Sequence, residues 1–335
     1  MSELDSNKHG EPFGKLTMKQ PYGKKRFFPD HVRGYIDLLR PFTLLAPIIV
    51  SMSIIVASLV YNARFFGLEI PLNWWVTVGN ASLTIALVNA ASNALNQATD
   101  VEADLISKPY RPIPKKIIKP EEAQSLAYIF YLFALLRAVT INAWFGVFIF
   151  LIMMFTVTYS LPPRTKRFLF LNQVWIAIPR GFLGILAGWS VFGDPFQKLP
   201  LVMGTVATVF LIGGMSTKDI SDSKADKLTG VHTLINTFGV KKAALISFPF
   251  MLCPFILIPF MINIGFIGSY FWPLTLFMFA SCFIFYLMMK GDTESKTLEN
   301  IHAWSIMYAE YIFFALGFAF LTIFSSSIDP PVGFF

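Results

Sequence analysis

Charge is what this chain most lacks. Asp, Glu, Lys and Arg make up 14% of its 335 residues, against 55% hydrophobic, where a soluble domain carries about a quarter charged. That excludes an ordinary water-soluble globule. Cysteine is nearly absent as well: Cys253 and Cys282 both fall in apolar runs without metal-ligand spacing, which argues against a disulfide scaffold or a zinc site. The first 40 residues lack the apolar core of a cleavable signal peptide, so the first apolar run is expected to act as an uncleaved anchor.

What the chain has instead is a series of apolar runs, each long enough to cross ~30 Å of hydrocarbon. Nine are read, at about 41–61, 74–98, 122–140, 143–161, 171–192, 199–217, 242–263, 267–290 and 303–326. The expected fold is an all-α membrane protein. A polar basic cytoplasmic arm over 1–34 precedes one transmembrane domain over 35–326, and a short non-cytoplasmic tail follows over 327–335. Nine spans put the termini on opposite sides, and the Lys/Arg distribution tests the assignment. Of 27 basic residues, 23 fall on the side of the N-terminal arm; Arg64, Arg137 and Lys198 fall on the other, and Arg180 is left inside a span. The N terminus of this multi-pass protein is therefore expected in the cytoplasm, at the cell membrane if the source is prokaryotic. The net charge of +7 needs no nucleic acid to explain it. Basic residues beside spans are accounted for by topology and by contact with membrane lipids.

Acidic residues are few, yet five aspartates fall in two short stretches. The second span carries Asn89, Ser92, Asn93 and Asn96 and runs into Asp100 and Asp104, in steps of three and four that put Asn89, Asn93, Asn96, Asp100 and Asp104 on one helical face. Such a face does not look at lipid. Lys108-Pro-Tyr-Arg111-Pro-Ile-Pro follows at once. The sixth span ends likewise, in Lys218-Asp219-Ile-Ser-Asp222-Ser-Lys-Ala-Asp226-Lys227. Four spans separate the clusters, and both sit at the cytoplasmic ends of helices running the same way, as in a parallel repeat of four helices. Mg²⁺ takes oxygen ligands and is held by one or two carboxylates, with phosphate and water completing its shell. Five facing aspartates repel unless cations lie between them. Two such clusters form a diphosphate clamp in which Lys108, Arg111, Lys218 and Lys227 neutralise the remaining phosphate charge.

On these residues the chain resembles the UbiA-type intramembrane prenyltransferase superfamily. The carrying motifs are Asn96-xxx-Asp100-xxx-Asp104 with its Lys-Pro-Tyr-Arg-Pro-Ile-Pro tail, and Asp219-xx-Asp222-xxx-Asp226 followed by Gly230 and Thr233-Leu234. The resemblance implies nine helices around a central cavity open sideways to lipid, as two pseudo-repeated four-helix halves plus a ninth. It implies transfer of a prenyl chain from a polyprenyl diphosphate, geranylgeranyl diphosphate among the plausible donors, to a lipophilic acceptor. It further implies that Asn96, Asp100, Asp104, Asp219, Asp222 and Asp226 coordinate Mg²⁺ and diphosphate. Two departures stand out. Gln97 replaces the Asp that many members carry after the first Asn. The family's Tyr and Lys after the fourth span correspond to Tyr159 and the wider-spaced Arg164, Lys166 and Arg167, as in the chlorophyll-synthase and homogentisate branches; Lys166 is assigned to substrate with the other two left open.

Other residues divide between function and plain anchoring. Arg40 matches a family arginine implicated in substrate binding, and equally suits a snorkelling anchor. Arg180 and Glu310 are ionisable groups within spans, which mark a cavity or a mutual pair. His232 reads as solvated, and most of the 36 phenylalanines as lipid-facing or packing residues. The acceptor is either an aromatic, quinone or porphyrin-like precursor, or geranylgeranylglyceryl phosphate on the way to ether lipids. A polytopic transporter would carry its acids near the midplane, and a non-catalytic isoprenoid-binding protein would not need two metal-spaced clusters. The topology is directly testable: with Cys253 and Cys282 removed, cysteines at Lys116 and Lys224 should be labelled by an impermeant maleimide only from the cytoplasmic face. Labelling of either from outside overturns the span map.

Overall fold

A computed structural model describes residues 29–291, 296–297 and 300–325. The basic arm is thus seen only from residue 29, and the tail expected over 327–335 lies outside the described residues. The described chain is helical almost throughout. In order it forms α1 (Asp30–Leu39), α2 (Leu45–Phe65), α3 (Trp74–Thr99), α4 (Val101–Ser107), α5 (Pro120–Ile141), α6 (Ala143–Ser160) and α7 (Leu171–Arg180). These are followed by α8 (Phe182–Trp189), α9 (Lys198–Gly214), α10 (Asp219–Leu228), α11 (Leu234–Phe238), α12 (Val240–Asn263), α13 (Phe277–Lys290) and α14 (His302–Phe324). One antiparallel pairing of β1 (Lys296–Thr297) with β2 (Asn300–Ile301) interrupts them.

Seven stretches are long and apolar enough to cross a membrane: Asp30–Phe65, α5, α6, Lys198–Thr217, α12, Ser269–Lys290 and α14. The two remaining sequence spans differ for physical reasons. α3 has 26 residues, but Asn80, Asn89, Asn93 and Asn96 dilute its hydropathy. The run 171–192 is not one helix: Pro179 and Gly181 divide it into α7 and α8. Large apolar side chains cover the outer faces, Leu132, Phe260, Phe279, Phe313 and Phe320 being 59–61% exposed, as a lipid-facing surface requires.

Close packing rests on small residues. Ala81, Ala91 and Ala94 of α3 and Ala123, Ala127, Ala134 and Ala138 of α5 are all fully buried, and these two helices pack along their length. Without a hydrophobic drive between helices in lipid, such small residues let backbones approach and gain dispersion contacts. Two apolar clusters result, one built on α9 and α12–α14, the other on α3, α5 and α6. The seam is shared: Ile54 of α2 and Ile185 of α8 belong to the first, Ile55 of α2 and Leu186 of α8 to the second.

The break between α1 and α2 shows how the polar face of α3 is used. Arg40 takes a left-handed φ of 54° before Pro41, which ends α1 and frees its last carbonyls. Carbonyls packed inside the protein need partners there. Side chains do so instead: Gln97 Nε2 donates to the Leu38 carbonyl at 2.6 Å, Asn93 Nδ2 to that of Leu39 at 3.0 Å, and Tyr308 Oη to that of Thr43 at 3.3 Å. Gln97 thus fastens α1 through its amide nitrogen, while its buried Oε1 meets no partner among the described residues. At the opposite end of the bundle Arg64 donates to the carbonyls of Ser325 and, at 3.0 Å, Ile323, while Tyr308 near the start of α14 meets Ala46 near the start of α2. α2 and α14 thus run parallel. A close helix approach involves Gly213 of α9, where an added Cβ would lie 2.5 Å from the Ser247 carbonyl oxygen and 3.0 Å from the Met251 nitrogen of α12. Gly213→Val should cost about 1–3 kcal/mol, read as a lowered thermal midpoint in detergent; an unchanged midpoint would show that α9 and α12 separate freely.

Candidate active site

Asp100 stands where α3 ends, and its non-helical φ of −109° turns the chain into α4. The single continuous face expected from the sequence is thus bent at Asp100, yet Asn89, Asn93, Asn96, Asp100 and Asp104 all line one cavity of about 610 Å³. Asn96 Nδ2 donates to Asp100 Oδ2 at 2.8 Å. On the other oxygen Asp100 accepts from Lys166 and, at 2.9 Å, from Arg164. A turn delivers both cations: Arg164 adopts φ 55° and its N–H returns to the Leu161 carbonyl at 2.6 Å. Arg164 and Lys166 thus share one carboxylate, while Arg167 is exposed and also lines the cavity.

α10 packs against α4 and brings the second cluster across. Lys108 binds Asp222, joining the clusters directly. Asn172 at the start of α7 donates to Asp219 at 3.4 Å, and Lys218 Nζ donates to the Tyr159 hydroxyl at 3.1 Å. Arg111 reaches both oxygens of Asp104 through one guanidinium nitrogen, at 2.8 and 2.7 Å, with both side chains buried, and its charge also acts on Asp222. Of the expected site residues, Arg40, Asn96, Lys108, Arg111, Tyr159, Lys166, Lys218 and all five aspartates line the cavity; Lys227 is exposed and does not. Asn172 escaped the sequence reading. Its signal was a pair of amides, Asn172-Gln173, opening an otherwise apolar run and both buried.

The charges are unevenly matched. Burial alone would push the Asp100 carboxyl up, but Lys166 and Arg164 outweigh it and hold the group below the usual carboxylate range. Asp222 behaves likewise through Lys108. Burial carries Asp219 up to about 6 against the pull of Lys218, and burial with repulsion from Asp219 and Asp222 carries Asp226 up to about 8. Lys218 is held protonated above the lysine range because Tyr159, Asp219 and Asp222 overcome the cost of burying it. The α10 side therefore has more carboxyl groups than cations to hold them ionised. Among the described residues no three His, Cys, Asp or Glu side chains converge into a cage of their own. The donor set still fits a hard divalent cation: all-oxygen, drawn from two helices, short of positive charge, and open to the cavity so that phosphate and water can complete the shell.

Long apolar helices around a cavity that is charged at one end and apolar further along define an intramembrane enzyme of lipophilic substrates. The chain belongs to the UbiA prenyltransferase family, whose model matches residues 52–306, and it is a prenyltransferase. It is 28% identical over 279 residues to the digeranylgeranylglyceryl phosphate synthase of Methanosarcina mazei, covering 81% of this chain and 94% of that one. It is 29% identical over 296 residues to the chloroplastic homogentisate solanesyltransferase of Arabidopsis thaliana, covering 82% and 74%. Its fold resembles a UbiA homologue from Archaeoglobus fulgidus solved with GPP and Mg²⁺, with a TM-score of 0.65 at 19% identity over 87% of this chain and 99% of that one. Because Asp104 is buried with a single bidentate partner, Arg111→Met should lower stability by about 3 kcal/mol, and Asp104→Asn should recover much of the loss. Additive losses in thermal unfolding of the two single variants and the double would show that the pair is not coupled.

Proposed function

We propose that this protein transfers a prenyl group from a polyprenyl diphosphate, of which geranylgeranyl diphosphate is representative, to a lipophilic acceptor within the bilayer, in a reaction that depends on Mg²⁺. The observation that carries this reading is the meeting of both Asp clusters with Lys108, Lys166 and Lys218 at one end of a single cavity that continues between the spans past Val50, Ile85 and Leu211. The GPP and Mg²⁺ of the Archaeoglobus homologue support the same class of donor and metal. Asn96, Asp100, Asp219, Asp222 and Asp226 would hold the metal, with Asp104 fixed by Arg111 beneath them. Bound there, Mg²⁺ supplies neutralising charge to the diphosphate.

The chain's own residues do the rest. Lys108, Lys166 and Lys218 exchange carboxylate or phenol partners for phosphate oxygens, favouring the developing negative charge of the leaving group. The C1–O bond of the allylic donor breaks with its electron pair going to diphosphate, a nucleophilic atom of the acceptor bonds to C1, and the acceptor loses a proton. The apolar walls exclude water that would capture the allylic cation. The acceptor belongs to the aromatic and quinone-precursor class or to the prenylated glycerol phosphates, the two kinds named among the relatives. The nine-crossing topology, with α3 and the paired α7–α8 as the additional crossings and the acid clusters on the cytoplasmic side, completes the reading. It is tested with Asp100→Asn and Asp222→Asn, which remove charge at constant size. Each should lower Mg²⁺-dependent diphosphate release on the order of 100-fold, and the double variant should add little, as for groups acting as a unit. Turnover unaffected by Asp222→Asn would remove the second cluster from the reaction and with it the two-cluster mechanism.

A further inference from the structure

Arg180 takes no part in the charged mouth of the cavity, though it lines the same cavity and is exposed into it. Its backbone is fixed from two sides. A Cβ on Gly181 would lie 2.6 and 2.7 Å from the Thr208 nitrogen and Cα, so the α7–α8 break can lie directly on α9 only with glycine there. The Arg180 carbonyl, freed by the break, accepts from Tyr311 Oη of α14 at 2.8 Å. Its guanidinium, by contrast, has no hydrogen bond or ion pair among the described residues. Glu310, the acid that might have served it, is buried away from the cavity and meets Ser281 at 2.8 Å. Tyr308 and Tyr311 stand within electrostatic reach, and both offer hydroxyls rather than charge.

A guanidinium within a span is costly and is kept where it meets a counter-charge or a pathway. The α7–α8 break rests on Thr208, about 9 Å of helical rise before α9 ends at Gly214, and Asp219 opens α10 only beyond a further turn over Met215–Thr217, so the backbone of Arg180 is set apart from the diphosphate end. The reacting carbon lies next to the diphosphate and carries the hydrocarbon prenyl chain on its other side; of the two molecules that extend from it into the cavity only the acceptor has polar groups to offer a guanidinium. We propose that Arg180 binds an acidic group of the acceptor, a carboxylate or a phosphate monoester, and so selects amphiphilic acids over neutral phenols or alcohols. This rests on the prenyl-transfer reading above and narrows its acceptor class.

The test uses the full-length protein in nanodiscs and equilibrium binding of two acids, homogentisate and geranylgeranylglyceryl phosphate, each beside its neutral counterpart, the methyl ester and the unphosphorylated glycerol ether. One acid should bind the wild type about 30-fold more tightly than its neutral counterpart, the scale of a charge-assisted hydrogen bond; which acid it is distinguishes the two chemistries. Arg180→Gln should remove that advantage while leaving the neutral counterpart and geranylgeranyl diphosphate unchanged, and Arg180→Lys should restore part of it. The inference is overturned if neither acid out-binds its neutral counterpart in the wild type, a comparison that needs no variant to fold, or if Arg180→Gln keeps the full advantage. Wild-type binding of geranylgeranyl diphosphate that ignores Mg²⁺ would instead sink the prenyl-transfer reading, and it is measured in a separate arm.

Discussion

Hydrocarbon leaves a backbone N–H or C=O no partner but the protein itself, and the site depends on how that demand is met. Two interruptions, after Arg40 and after Arg180, break what would otherwise be uninterrupted spans. Each frees carbonyls, and each is repaired by side chains from helices distant in sequence: Gln97, Asn93 and Tyr308 at the first, Tyr311 at the second. α3 is consequently bound to α1 by its amides, and α14 to both breaks by its tyrosines. Those attachments bring Arg40, Arg180 and the acid-bearing end of α3 onto one cavity.

The charged end follows a different rule. Its first cluster is internally balanced, Asp100 by Lys166 and Arg164, Asp104 by Arg111. Its second is not, and Asp226 in particular is left among carboxylates. Lys108 on Asp222 links them directly. The α4 side thus already holds its own cations, while the carboxyl groups of α10 outnumber the cations beside them, so a bound cation would meet its main electrostatic demand on α10.

Much of this was legible in the sequence. The acid clusters were visible because Asp is rare in the chain and its spacing is helical, and the spans because apolar runs of that length have few other meanings. The dual use of α3 was not: periodicity puts Asn93 and Asn96 on one face, but Asn93 turns to the Leu39 carbonyl while Asn96 turns to Asp100, and only the position of the neighbouring break decides between them. Lys227 sits one residue from Asp226 and was drawn in by adjacency, whereas a step of 100° per residue along α10 carries it to solvent. Asn172 and Arg164 depend on contacts 47 and 64 residues away along the chain. Arg180 and Glu310, the two ionisable groups set inside spans, were candidates for a mutual pair. They go separate ways, the first to the cavity and the second to Ser281.

The interrupted α7–α8 segment also bears on biosynthesis. α7 has 10 residues and α8 has 8, each well short of the ~20 needed to cross hydrocarbon. The joined segment places Arg180 near its middle, where a translocon-inserted helix suffers a penalty of about 2.5–3.5 kcal/mol. Such a segment partitions poorly by itself. α6 before it and α9 after it are strongly apolar and lie against it in the finished fold. On the proposed nine-crossing topology, entry of this stretch into the bilayer is a collective event, in which flanking helices carry across a piece that would stall if it were synthesised alone.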